Sequence, residues 1–371
     1  MSENLCARDR VLAAPTARDV VSPQVYERIM AAANFEEPDR VPIWDFVDSW
    51  PIYQHFAPGE TDGAVATAKV FNGLGIDMSR GTYLPQAPEN EGAEADYGTH
   101  KMKVSGKTHW MAEYPIKTLE DIKAWQGGVP TEEDIWPEVE HILSIRDTFA
   151  PQTLYVPGCG VGYHAAYGSM GLMLFSTALY DARDDIERMI DTINQGSCVR
   201  AKVYAEANVS PLFFIGDDIA YKNRTMVSMQ MLRELFFPYL KRLCEPLVNA
   251  GIKVVFHTDG YCMELVDDLL DAGVSGLNPL EPLAGNDVAE LKRRYGRNLI
   301  LVGGMDCSQL LPLGSVADVR EGTKQLLRDA GHGGGLFIGS SSEIVPATPV
   351  ENIFAFYEGC HEFGRYPLGG G

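Results

Sequence analysis

No run of about eighteen apolar, charge-free residues occurs in this 371-residue chain, so no membrane-spanning helix is predicted. The N-terminus, Met-Ser-Glu-Asn-Leu-Cys-Ala-Arg, lacks a basic segment followed by an apolar core, and no signal peptide is predicted. Cysteine is sparse and shows no pairing pattern. The seven cysteines, at 6, 159, 198, 244, 262, 307 and 360, include no Cys-x-x-Cys pair. An odd, dispersed set points to reduced thiols and a cytoplasmic setting. Positive charge is also short: 31 Lys and Arg against 51 Asp and Glu leave a formal net charge of -20. That balance argues against an electrostatic hold on nucleic acid or an anionic membrane, both polyanions. It leaves room for a small anionic substrate, because a pocket can be locally basic. No Pro- or Ser-rich linker divides the chain, so a single domain over 22–371 is predicted, behind a loose arm at 1–21.

What is present is a strand-then-helix rhythm. Short β-branched apolar runs suit strands buried on both faces. They fall at 153–157, 211–216, 253–257, 274–277, 299–303 and 335–339. Helical patterns lie at 183–208, 224–249, 261–272, 287–295, 316–330 and 350–363. Earlier, 41–46 and a stretch near 77–83 read as strands, while Ser22-Pro23 opens a helix with an N-cap and Pro at its first position. Further helices are predicted over 64–74, 118–125 and 132–147. Strand–helix alternation implies right-handed βαβ units and a parallel sheet. About eight strands is the number that closes a single (β/α)8 TIM barrel. An N-terminal helical extension precedes it, and an alternating stretch over 93–115 with a Ser-Gly turn predicts a β-hairpin excursion.

The strand ends are more polar, or richer in glycine, than packing requires. Lys253-Val-Val-Phe-His-Thr-Asp-Gly260 runs from an apolar strand straight into His257 and Asp259. A hydrogen-bonded core histidine and a helix-capping aspartate would put the same residue types there. The pattern recurs, however: Trp44-Asp45 and Asp48, Gly158-Cys159-Gly160 with Tyr163, His164 and Tyr167, and Asp217-Asp218. Asn278 with Glu281, Gly304-Met305-Asp306-Cys307, and Ser340 to Glu343 continue it. Ligands in such folds sit at the carboxyl ends of the strands, so these residues are expected to line one cavity. Gly158-Cys-Gly-Val-Gly162 lacks the full dinucleotide fingerprint and is read first as a tight turn, with a phosphate cradle as the lesser alternative.

Several of these segments carry a resemblance. Glu37-Pro-Asp-Arg-Val-Pro42, Gly216-Asp-Asp218, Phe256-His-Thr-Asp-Gly260, Gly285-Asn-Asp-Val-Ala-Glu290, Gly303-Gly-Met-Asp306 and Thr348-Pro-Val-Glu-Asn352 together resemble the uroporphyrinogen decarboxylase superfamily. The likeness covers about 21–367 and implies a single TIM barrel. Decarboxylases of that family carry an arginine-rich run after the first strand to hold porphyrinogen carboxylates. Here that stretch is Ile43-Trp-Asp-Phe-Val-Asp-Ser-Trp50, with two acids and no arginine.

The other large branch resembles corrinoid-dependent methyltransferases, which move methyl groups from small substrates to a cobalamin protein. Its thiol-activating members hold zinc through His-x-Cys and a later Cys. The positions here are His257-Thr258-Asp259 and about Ser342, beside Glu343, so only the His remains. The resemblance implies a substrate-side methyltransferase with a corrinoid carried by a partner protein. His257, Asp259 and Glu343 are then Zn²⁺ ligands or proton donors, and Asp217 joins them as a catalytic candidate. Asp45, Asp218, Asn278 and Ser342 would orient the substrate, with Trp44, Tyr163 and Tyr167 as walls. Decarboxylation of a polycarboxylate tetrapyrrole is the alternative.

Overall fold

The computed structural model describes residues 5–85, 94–97, 100–105, 108–111 and 113–369, with backbone only for the strands between 94 and 111. Its strands are β1 (Met78–Ser79), β2 (Glu94–Tyr97), β3 (His100–Ser105), β4 (Thr108–Met111), β5 (Leu154–Tyr155) and β6 (Gly158–Cys159). They continue with β7 (Leu212–Gly216), β8 (Ala220–Tyr221), β9 (Arg224–Thr225), β10 (Lys253–His257), β11 (Gly276–Asn278), β12 (Ile300–Met305) and β13 (Leu336–Ser340). A six-stranded parallel sheet runs β6-β7-β10-β11-β12-β13. Isolated bridges extend it, from Ile43 to Ile338 on β13 and from Trp44 to Met78 on β1. β1 pairs with β5. Between β5 and β6, Val156 N donates to Ser79 O and Pro157 O accepts from Phe214 N. The circuit therefore returns on itself through eight chain segments, the first held by single bridges where a full strand was predicted.

The pleat sorts side chains into two cores. One contains Trp44, Met78, Leu154, Val156, Leu212, Val255, Ile300, Val302 and Phe337. Their positions share one parity along each strand, which places them inside the ring. Val25 and Ile29 of the helix Pro23–Ala33 join the same cluster and plug its lower end. The opposite parity, including Ile43, Tyr155, Phe213, Ile215, Val254, Phe256, Leu277, Leu301 and Ile338, packs outward against the helices.

Three expectations are corrected. The arm at 1–21 is not loose over its described part. It forms helices Ala7–Leu12 and Ala17–Val20, which bury Val11 and Ala17, and Arg8 and Arg10 pair with Glu206 and Glu140. The single helix predicted over 224–249 is instead the β8–β9 hairpin followed by Met229–Leu235 and Phe237–Asn249. Pro238 near the start of the second helix lacks the N–H that a continuous helix would need there. The excursion is a three-stranded antiparallel meander, β2-β3-β4, one strand more than a hairpin. Helices Trp50–Phe56 and Tyr163–Asp181 were not anticipated.

Candidate active site

Counting by two from the inward core residues leads to the mouth of the barrel. Val255 is followed by His257, Trp44 by Phe46, Met78 by Arg80, Gly276 by Asn278, and Phe214 by Gly216 and then Asp218. Phe46, Arg80, Phe214, His257, Asp259, Ser342 and Glu343 line one chamber of about 420 Å³. A second cavity of about 660 Å³ shares Asp259 and Ser342 with it, and adds Tyr221, Lys222, Glu281, Leu283 and Cys307.

His257 is fixed from one side and faced by acids on the other. Asn278 Oδ1 lies 2.7 Å from its Nδ1. Arg80 Nη1 lies 3.2 Å from the same ring nitrogen and donates to Asn278 Oδ1 at 3.1 Å. With Asn278 Oδ1 as the shared acceptor, Nδ1 is the ring nitrogen that donates to it, and Nε2 points the other way. Nε2 stands 3.8 Å from Asp218 Oδ1 and 3.7 Å from Asp259 Oδ1. Ligand atoms of these three residues all fall within 4.8 Å of one another. Asp259 N donates to Asp218 Oδ1 at 3.0 Å, so one bond orients both acids. Tyr167 OH donates to the Asp218 carbonyl at 3.1 Å, and its ring stacks on His164. Glu281 accepts from Gly260 N at 2.6 Å, and burial raises its pKa.

Asp217 turns away from this group. Its carboxylate accepts from the backbone N–H of Val161, Gly162 and His164, at the start of helix Tyr163–Asp181. Val161 and Gly162 belong to the glycine-rich stretch, so the anion that these two amides hold is Asp217, which favours the tight-turn reading over a phosphate cradle. Gly158 serves close packing: a Cβ there would meet Phe214 O at 2.3 Å. Burial lifts the Asp217 pKa to about 6 against the pull of the amides.

Asp45 is also placed elsewhere than expected. It accepts from Ser340 N, Ser340 Oγ and Tyr357 OH, joining the first strand segment to the last. Asp48 is buried beside Tyr83. Neither lines the chamber, so their charges do not confront a substrate there. Trp44 packs edge-on between Phe214 and Phe337 within the ring, and Tyr163 packs among Tyr167, Phe175 and Phe236. Both are core residues. Ser342 and Glu343 do line the chamber, and Asp218, expected as a substrate contact, takes the place beside His257 that Glu343 was given.

Arg80 was overlooked. Its guanidinium lies over the Phe214 ring at 4.8 Å, and Nη2 donates to Ser342 O at 3.2 Å. The signal was present: Arg80 follows inward Met78 by two residues at a strand end.

The family model described as Uroporphyrinogen decarboxylase (URO-D) matches residues 101–363. The chain belongs to the uroporphyrinogen decarboxylase family. Its relatives include the uroporphyrinogen decarboxylase of Anaeromyxobacter dehalogenans (strain 2CP-C), 24% identical over 259 residues. That of Anaeromyxobacter sp. (strain Fw109-5) is 23% identical over 266 residues, and each match covers 67% of this chain and 70% of the relative. Among solved structures, a methyltransferase from Methanosarcina mazei superposes with a TM-score of 0.68 at 21% identity, covering 91% of this chain and 98% of that one. A B12-independent methionine synthase from Shewanella sp. W3-18-1 gives 0.50 at 13% identity, covering 87% and 96%. At such identities the structural likeness speaks for the fold. Among the described residues, the mouth of this URO-D family member brings together the imidazoles of His257 and His164 (whose Nδ1 lies 3.5 Å from Asp218 Oδ2), the acids Asp218, Asp259, Glu281 and Glu343, and the cations Arg80 and Lys222.

Proposed function

We propose that this protein is a substrate-side methyltransferase, passing a methyl group from a small methylated ether, amine or similar donor to a corrinoid carried by a partner protein. The observation that carries the reading is the His257 ring, locked by Asn278 on one side and faced by Asp218 and Asp259 on the other. One neutral imidazole and two carboxylates form a donor set suited to a divalent metal such as Zn²⁺, with a coordination position left for a ligand. When bound, such a metal supplies Lewis acidity to the departing heteroatom, whose release is the demanding part of demethylation.

The chain's own residues do the rest. Asn278 accepts from Nδ1, so the neutral ring presents its lone pair at Nε2. The Asp259 amide holds Asp218 in place, and half-exposed Asp259 can take up or deliver the proton that accompanies departure of the heteroatom. Phe46 and Phe214 wall the chamber and reduce its water. With seven free cysteines and no helix among the described residues long and apolar enough to cross a membrane, the cytoplasm is the setting we propose.

Decarboxylation of uroporphyrinogen is the second reading, favoured by Arg80, a cation able to hold a carboxylate. Asp218, Asp259, Glu281 and Glu343 weigh against it, because a polycarboxylate would meet more negative than positive groups at this mouth. The test is a screen of methylated donors with a reduced corrinoid protein, alongside metal analysis of wild type and Asp218→Asn. Methyl transfer with metal lost in the variant supports the proposal. Carbon dioxide released from uroporphyrinogen, with no methyl transfer from any donor, overturns it.

A further inference from the structure

Arg80 differs from the other buried arginines. Arg28 pairs with Asp39 and Asp77, Arg40 with Asp77, and Arg146 with Asp147. Arg80 pairs with no carboxylate among the described residues. Its hydrogen-bond partners are the neutral oxygens of Asn278 and Ser342, and its remaining contacts are the His257 ring and the faces of Phe214 and Phe46. Burial lowers its pKa and outweighs Glu343, Asp259, Asp45 and Asp218, which act on it only from beyond ion-pairing distance, so the cation lacks a contacting counter-charge for its desolvation. The guanidinium has five N–H donors, and the three contacts above leave Nε–H and further N–H groups at the chamber wall. Planar recognition of a carboxylate by two parallel N–H bonds is what this side chain does best.

We infer that Arg80 is the anchor for a substrate carboxylate, and that the methyl donor is a carboxylic acid whose flat apolar body lies against Phe214 and Phe46. Arg80 sits on the Nδ1 side of His257, and the two acids sit on the Nε2 side. The carboxylate and the methyl-bearing heteroatom must therefore be separated by about the breadth of a ring. A methoxylated aromatic acid has that shape, with one charge for one guanidinium. This substrate class rests on the methyl-transfer reading, whereas the carboxylate anchor does not.

The test uses non-reacting probes on the full chain, with no corrinoid. Benzoate and its neutral isostere benzamide are titrated calorimetrically into wild type, Arg80→Ala, Arg80→Lys and His257→Ala. Benzoate is expected to bind wild type about 10- to 100-fold more tightly than benzamide. That preference should vanish in Arg80→Ala, survive in part in Arg80→Lys and persist in His257→Ala. Equal binding of the two probes by wild type, or no benzoate binding at all, overturns the anchor even if Arg80→Ala fails to fold. Benzoate binding that survives Arg80→Ala but is lost in His257→Ala puts the carboxylate on the His257 centre and also overturns it. Benzoate selectivity in a protein that transfers no methyl group sinks the function proposed above and leaves the anchor standing. Methyl transfer confined to uncharged donors does the reverse.

Discussion

Asn278 Oδ1 stands 2.7 Å from His257 Nδ1, and that contact decides which ring nitrogen faces the acids. Removing it should be felt at the opposite side of the ring. In Asn278→Ala the imidazole can exchange tautomers and swing, so metal affinity should fall about 10- to 100-fold, the usual effect of losing such a partner. Asn278→Asp keeps an acceptor and should retain most of the affinity. Competition with a chromophoric chelator measures both, and equal affinity in wild type and Asn278→Ala would show that the contact orients nothing.

Adjacent Asp217 and Asp218 should behave as unlike residues. Asp217→Ala strips the acceptor from three backbone amides at the start of helix Tyr163–Asp181. Donors left unsatisfied in a buried place cost about 1–3 kcal/mol each, so a loss of about 3 kcal/mol or more in urea unfolding is expected. Asp218 is a quarter exposed, and its place is beside His257 Nε2. Asp218→Asn should leave the unfolding midpoint nearly unchanged while abolishing metal retention and turnover. Reversed effects would mean that the two carboxylates have exchanged roles.

Asp45 is expected to show no activity phenotype of its own. It accepts three hydrogen bonds that tie the first strand segment to Ser340 and Tyr357. Asp45→Ala leaves Tyr357 OH and both Ser340 donors without that acceptor in a buried spot. A destabilisation of about 3 kcal/mol follows. Activity per folded molecule should match wild type at low temperature. A specific loss of turnover, with stability intact, would return Asp45 to the substrate.

Much of this was legible from periodicity, and the errors share one cause. Buried parallel strands are short apolar runs, so Lys253–His257 was found at its observed bounds and its neighbours to within about two residues. The site was then read from residue type at strand ends, without regard to which way each residue points. A pleated strand alternates, so type and direction are independent. Asp45 and Asp217 have the outward parity, as do Ile43 and Ile215, whereas Arg80 and Asp218 have the inward parity of Met78 and Phe214. Applying the period of two across the strand ends would have exchanged Asp45 for Phe46 and drawn attention to Arg80. The bonds among His257, Asn278 and Arg80 lay beyond such reading, because they join positions 177 to 198 residues apart in one case and 21 in another.

The last prediction concerns pH. His361, on the final helix Val350–Phe363, lies against the end of helix Gly63–Leu74, with its Nε2 2.9 Å from the Leu74 carbonyl. A Cβ at Gly75 would meet that nitrogen at 2.5 Å, so the ring is closely enclosed. Burial lowers its pKa below the ordinary 6.5, with the Leu74 contact acting against the shift and nearby Arg40 adding to it. The unfolded chain therefore binds a proton at this residue more readily than the native one does. Stability contributed by neutral His361 is present above pH 6.5 and is lost as the pH falls through and below that value. Urea unfolding of wild type between pH 7.5 and 5 should show this decline. His361→Gln, which can still donate to the Leu74 carbonyl but does not titrate, should show a shallower decline by up to one proton's slope. Identical slopes would mean that His361 binds its proton equally well in the folded and unfolded chain, contrary to its enclosure.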